Sequence, residues 1–168
     1  MNSESATPCV GVCSTIYGDD ICRGCHRHSD EVIQWNSMNE KQKKNINFRL
    51  AELQEKFTSQ YIEVVNINAL LSSLKQYHIR FNPSAPPLAW AYKLLKSPFF
   101  QKNFMHNNNP DPSSANLNLI NINLANKYGI KLKLENLTNL KFLNLTQIST
   151  KISTTIDEEI FNFSQQSA

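Results

Sequence analysis

The stretch that organises the start of the chain reads Cys9-Val10-Gly11-Val12-Cys13 and, after eight intervening residues, Cys22-Arg23-Gly24-Cys25. These are the four cysteines of a 168-residue sequence. Metal binding requires thiolates that converge to about 2.3 Å from one ion, and two closely spaced pairs meet that requirement when one pair folds over the other. We therefore predict a single metal site whose ligands are Cys9, Cys13, Cys22 and Cys25.

Other interpretations of the cysteines stay open. Residues 1–8 have neither a basic segment nor an apolar one, so no secretion signal is visible, and a reducing cytoplasm argues against two disulfides. A redox-active dithiol at Cys22 and Cys25 has the Cys-x-x-Cys form, but it leaves Cys9 and Cys13 unexplained. For the metal, four thiolates suit a zinc ion or an iron–sulfur cluster, and the spacing, which matches neither common ferredoxin pattern, favours zinc.

Charged and imidazole side chains surround the second cysteine pair. Arg23 and Arg27 are expected to balance the negative charge of the thiolates. Arg23, His26 and His28 are candidates for the layer around the metal ligands. Because four cysteines already complete a four-coordinate site, we expect both histidines to be partly exposed residues in the first turn of a helix.

The order of elements in residues 8–58 predicts a small treble-clef-like domain. We expect a tight hairpin over residues 16–21 and a helix over residues 30–36 that begins near Ser29. A second helix is expected over residues 38–58, opened by a capping box of Ser37 and Glu40. Its apolar side chains recur at helical spacing, and Trp35 is expected to fill the small core beside them. The recurring positions are Ile46, Leu50, Leu53 and Phe57.

The rest of the sequence predicts a mostly helical α+β protein. After a disordered lead-in (1–7) and the cysteine domain (8–58), a helical segment (59–102) precedes a linker (103–116) and a small α/β or poorly ordered region (117–168). Residues 61–67 suit either a strand or a helix start, and helices are expected over 69–77 and 87–95. Strict alternation predicts a strand within 129–134, and Thr155 with the following acidic residues predicts a helix start.

Charge and composition restrict the function. The net charge is +3, but residues 1–57 hold seven Lys or Arg against eight Asp or Glu, so the cysteine region lacks the basic surface that grips phosphates. No stretch approaches the roughly 20 apolar residues of a membrane span. The sequence has no Ser-His-Asp set, phosphate loop or paired-carboxylate motif, which argues against an enzyme.

The cysteine segment resembles a known bacterial family. The residues that carry the likeness are Pro8–Cys13, Asp20–Cys25, Arg27, Asp30–Ile33, Trp35 and Met38. Together they resemble the short cysteine-rich proteins called domain of unknown function 1289, over roughly residues 8–50. That resemblance implies that the four cysteines are metal ligands and that an iron–sulfur cluster is the expected group. One departure is His26, where members often carry glycine.

Two functions follow as expectations. The first is a protein-interaction module in which the metal is purely structural, because a site closed by four ligands has no open coordination position. The second, which the resemblance implies, is an iron–sulfur redox or sensor protein. Both place a protein partner, rather than a membrane or nucleic acid, beside the cysteine domain.

Overall fold

The computed structural model describes residues 5–98, 100, 117–133, 135–136 and 145–166. The predicted linker (103–116) and residues 1–4 of the predicted lead-in lie outside the described residues. In the described part, six α-helices and a two-stranded sheet confirm a mostly helical α+β fold. The helices are α1 (Ser29–Ile33), α2 (Glu40–Thr58), α3 (Ile67–Gln76), α4 (Pro87–Lys96), α5 (Leu117–Tyr128) and α6 (Leu145–Gln166). The strands are β1 (Ile62–Val64) and β2 (Ile130–Leu132).

The predicted hairpin over residues 16–21 is wrong. Ser14–Tyr17 instead form a 3-10 helix, and Gly18 ends it in a left-handed conformation with φ of 97° while its N–H donates to the Thr15 carbonyl. Ile21 forms a single antiparallel bridge with His28 rather than pairing with Ile16. Its side chain is fully buried, and this burial favours the bridge because it removes apolar surface from water.

Both helix starts in the cysteine domain differ from the predicted ones. Helix α2 is capped by Asn39, whose side chain accepts the Gln42 N–H at 3.0 Å while Gln42 accepts the Asn39 N–H at 2.9 Å. The predicted cap, Ser37, is engaged in the preceding turn, where its hydroxyl donates to the Gln34 carbonyl. Helix α1 starts one residue before the predicted range and ends at Ile33, and Ser29 is its first residue rather than its cap.

The sheet joins the middle of the chain to its C-terminal part. β1 and β2 are antiparallel, with Ile62 opposite Leu132 and Val64 opposite Ile130, which confirms a strand in each predicted segment. Gly129 precedes β2 with φ of +70°, and its carbonyl accepts the N–H groups of Val65 and Asn66. A Cβ at this position would lie 2.0 Å from the Asn66 oxygen, so only glycine fits here.

Helix α4 lies at the centre of the main core. It packs against α2, α3, α6 and β1, and most of its residues are buried. Helix α6 contributes Ile152, Ile156 and Ile160 to this core. They are four residues apart and lie on both sides of Thr155, which is in the middle of the helix. The predicted helix start at Thr155 is therefore wrong, because an apolar face already holds this part of the chain in a longer helix.

A second, smaller core lies under the cysteine loop. Trp35, Ile46 and Leu50 are buried together, and Met38 packs against them. This confirms the predicted role of Trp35 and the apolar stripe of α2, on which Leu53 and Phe57 join the main core. Among the described residues, no helix has the length and apolar character needed to cross a membrane.

Candidate metal centre

Cys22 is one of the two buried cysteines of the candidate site. Its side chain is buried, which opposes ionisation. The backbone amides of Cys25, Ser14 and Gly24 outweigh that effect and lower the pKa of the Cys22 thiol to about 7. Amide donors directed at a sulfur stabilise its thiolate, the form that binds metals.

The first cysteine segment lies against the second. The Val12 carbonyl is 3.9 Å from the Cys22 sulfur, and the Ser14 hydroxyl accepts the Arg23 N–H at 2.9 Å. Cys13 lies between Val12 and Ser14 in the chain, and these two residues contact Cys22 and Arg23. A Cβ on Gly24 would lie 2.8 Å from the Val12 carbonyl oxygen, so this close approach requires glycine.

The first pair is more exposed than the second. Cys9 is exposed, and its sulfur accepts the Gly11 N–H at 3.4 Å. Cys13 is partly buried, with its sulfur 3.0 Å from the Thr15 hydroxyl. Within the described residues, no three His, Cys, Asp or Glu side chains are arranged to hold a metal ion. The four-cysteine site and its treble-clef geometry therefore stay predictions.

Arg27 is the arginine that contacts a sulfur. Its Nε donates to the Cys25 sulfur at 3.3 Å, and its guanidinium lies 4.7 Å from the centre of the Trp35 ring. Burial raises the pKa of the Cys25 thiol, and the positive charge and hydrogen bond of Arg27 oppose that rise. Arg27 thus joins the cysteine loop to the small core below it.

The three residues named as neighbours of the ligands occupy different surroundings. Arg23 pairs with Asp19 at 2.9 Å, and its guanidinium lies over the Phe161 ring of α6. His28 is partly buried, and its backbone N–H donates to Glu31 at the start of α1. His26 is only 1% exposed, so its expected exposure is wrong. Burial lowers the pKa of His26 to about 4, an effect that the charge of Asp157 partly opposes.

Residues 7–54 match the family model described as Protein of unknown function (DUF1289). The match confirms the resemblance predicted for residues 8–50 and applies to this segment alone. It covers the four cysteines, α1 and most of α2. No curated protein and no solved structure matches the chain.

Two residues of the cysteine loop, Arg23 and His26, contact helix α6. The Arg23 guanidinium lies 4.4 Å from the centre of the Phe161 ring, and His26 Nε2 lies 3.5 Å from an Asp157 oxygen. Both partners are on α6, more than 100 residues further along the chain. The cysteine loop therefore contacts α6, while α2 of the same segment packs against α4 and α6.

Sequence reasoning missed the polar cluster at this junction. The Tyr92 hydroxyl donates to Asp157, and Lys96 lies 2.9 Å from the same carboxylate. Tyr92 is buried, and both burial and the Asp157 charge raise its pKa well above the usual value. Spacing along the sequence gave no signal, because α4 and α6 meet only through the tertiary fold.

Proposed function

We propose that residues 8–58 form a protein-interaction module that folds around a metal held by Cys9, Cys13, Cys22 and Cys25. The metal is a zinc ion or an iron–sulfur cluster, which four thiolates suit. The observations that carry the proposal are the Gly11 N–H, which donates to the Cys9 sulfur at 3.4 Å, and the Val12 carbonyl, which lies 3.9 Å from the Cys22 sulfur, whose pKa is lowered to about 7. Amide donors favour thiolates over thiols, and thiolates are the form that binds either group.

A structural role for the metal follows from the size of the small core. Trp35, Ile46 and Leu50 are its buried members, which is little apolar surface for the loop of residues 8–28. Folds with so small a core usually require a metal or disulfides to be stable. In a reducing compartment, the proposed metal supplies that stabilisation.

The surface of the cysteine loop supports a protein partner. Four large apolar side chains around the cysteines are more than half exposed, whereas lone exposed apolar residues need no explanation. They are Val10 (54%), Val12 (74%), Ile16 (73%) and Tyr17 (83%). Burial of these side chains against a partner would remove apolar surface from contact with water and so stabilise the complex.

An iron–sulfur redox or sensor protein is the second candidate. The observation that favours it is the exposure of Cys9, which would bring one edge of a bound cluster to the surface. An exposed edge suits electron exchange or reaction with an oxidant. The two candidates differ in the metal and in whether its loss alters folding alone or also a redox signal.

The first experiment is metal analysis with an absorption spectrum on protein purified without oxygen. One equivalent of zinc and a colourless solution support the structural module, whereas a brown solution with visible absorption supports the cluster. Cys22→Ser is expected to abolish stoichiometric metal binding, while the control Ser37→Ala, an exposed residue outside the cysteine loop, retains it. Full metal content in Cys22→Ser would contradict the four-ligand proposal.

The partner is tested by affinity capture from cell extract with quantitative mass spectrometry and reconstitution of the recovered complex. The double variant Val12→Ser and Tyr17→Ser is expected to lose the partner and to keep its metal. Phe48→Ser is the matched control, because Phe48 is 56% exposed on α2, away from the loop. Equal recovery by the double variant and the control would contradict a docking role for the cysteine loop.

A further inference from the structure

A cavity outside the cysteine loop opens beside helix α4. It has a volume of about 150 Å³ and lies between α2, the first half of α4 and the segment that joins α3 to α4. Residues 6–8 form part of its rim, and the Asn47 side chain holds them by donating to the Ala6 carbonyl at 2.9 Å. Its apolar walls come from Leu50, Ala51, Phe81, Ala85, Ala89 and Trp90.

The charged side chains that line the cavity are both cations. Lys93 approaches from α4 and Arg80 from the segment before it, and none of the described residues that line the cavity is acidic. Both oxygens of the neighbouring Asn82 are already engaged, since its side-chain oxygen accepts the Ser84 N–H and its carbonyl accepts the Trp90 indole N–H. The charge of the site therefore suits an anion.

Lys93 adds a reason to favour an anion in this position. It is half-buried, and burial lowers its pKa to about 8, with the Lys96 charge lowering it further. Asp157 and Cys25 oppose that shift without cancelling it. At neutral pH the ammonium is still mostly protonated, so it lacks full hydration and full charge compensation. A carboxylate in the cavity would supply both a hydrogen-bond acceptor and an opposite charge.

The volume of the cavity limits the size of the apolar part of the ligand. An apolar cavity of about 150 Å³ accommodates a molecule the size of benzene. Trp90 and Phe81 form an edge-to-face pair, with ring centres 5.4 Å apart, that offers a flat apolar wall. The matching ligand has one carboxylate and a compact apolar body of about six carbon atoms.

We propose that this cavity binds a small monocarboxylate, with its carboxylate at Lys93 and Arg80 and its apolar body against Trp90 and Phe81. The proposal does not rest on the metal proposed for the cysteine loop. Benzoate is the test ligand because it combines the charge with a body of the right size. Benzamide keeps the shape without the charge, and acetate keeps the charge without the body.

The experiment titrates each compound into the isotopically labelled full-length protein and follows backbone and indole N–H signals. Benzoate is expected to shift the Trp90 indole and Ala89 signals saturably, and to bind about tenfold or more tightly than either benzamide or acetate. Lys93→Met is expected to weaken benzoate binding about tenfold or more. Lys75→Met, an exposed lysine on α3, is the matched control and leaves binding unchanged.

Three results would overturn the proposal. They are equal affinity for benzoate and benzamide, unchanged benzoate affinity in Lys93→Met, and shifts confined to residues outside the cavity. Where Lys93→Met does not fold, Arg80→Gln replaces it, because Arg80 is exposed and its loss leaves the core intact. A parent protein that binds benzoate but contains no metal would keep this proposal and reject only the metal site.

Discussion

At the scale of single residues, His26 combines an unusual backbone conformation with deep burial. Its φ is +60°, a region that glycine adopts readily and other residues adopt at a cost. Its N–H donates to the Cys22 carbonyl at 2.7 Å, so this conformation is part of the turn that closes the second cysteine pair. The glycine that the family resemblance implies at this position suits the same turn.

His26→Gly and His26→Ala separate the backbone from the imidazole. Both variants lose the buried ring, but only glycine relieves the positive φ. His26→Gly is therefore expected to be more stable than His26→Ala by about 1 kcal/mol. Urea unfolding of the two variants measures the difference, and a His26→Ala protein as stable as His26→Gly would refute the role of the backbone.

The lowered pKa of Lys93 predicts that the stability of the protein depends on pH. Its folded pKa of about 8 lies below the ordinary value of 10.5, so between these values the unfolded chain binds more protons than the folded one. The contribution of Lys93 to stability is therefore unfavourable below pH 8 and recovers as the pH rises towards 10.5. Lys93→Met is expected to unfold at a higher temperature than the parent protein at pH 7, with a smaller difference at pH 10. Parallel melting curves test this, and a difference that does not change with pH would contradict it.

At the scale of elements, α5 and β2 are joined by one side chain. Asn121 on α5 donates to the Leu132 carbonyl at 3.0 Å and accepts the Leu132 N–H at 2.9 Å. Both backbone groups of this buried strand residue are thereby satisfied by a side chain instead of another strand. The asparagine-rich composition of residues 117–124 gave no indication of which asparagine does this.

Asn121→Ala is expected to lower the free energy of unfolding by about 1–3 kcal/mol, because it leaves the N–H and carbonyl of Leu132 buried without partners. Asn123→Ala is the matched control, since Asn123 lies on the same helix and is exposed. Its expected effect is below about 0.5 kcal/mol. Denaturant titrations of both variants provide the measurement, and equal losses of stability would show that Asn121 has no special part.

At the scale of the whole molecule, Asp157 connects three parts of the chain. From α6 it accepts the Tyr92 hydroxyl and pairs with Lys96, both on α4, and it faces His26 of the DUF1289 segment. The α4 core and the cysteine loop therefore share one carboxylate. These contacts join residues inside the family match, 7–54, to helices outside it.

Asp157→Ala is expected to destabilise the protein by about 1–3 kcal/mol, since the buried Tyr92 hydroxyl loses its acceptor. Hydrogen exchange should also become faster in residues 20–28, which pack on α6 through this site. Glu158→Ala, an exposed neighbour, is the control. Faster exchange confined to α4 would show that the cysteine loop does not depend on Asp157.

The sequence by itself determined the features that depend on neighbouring residues. The cysteine spacing and the family segment, the apolar stripe of α2, the proline-led start of α4 and the strand after Gly129 all follow from local spacing and local conformation. Helix starts were less accurate, because Ser37 and Asn39 are both good caps and the choice depends on the turn before them.

Only the tertiary structure decided which residues far apart in the sequence contact each other. It buried His26 against α6, brought Lys93 and Arg80 to one cavity, and placed Tyr92 and Lys96 on Asp157. It also placed Thr155 inside α6 rather than at a helix start, because the buried isoleucines on one face outweigh a local helix-start signal. Such pairings join residues far apart in the chain, and their energies come from burial and charge, which local patterns do not encode.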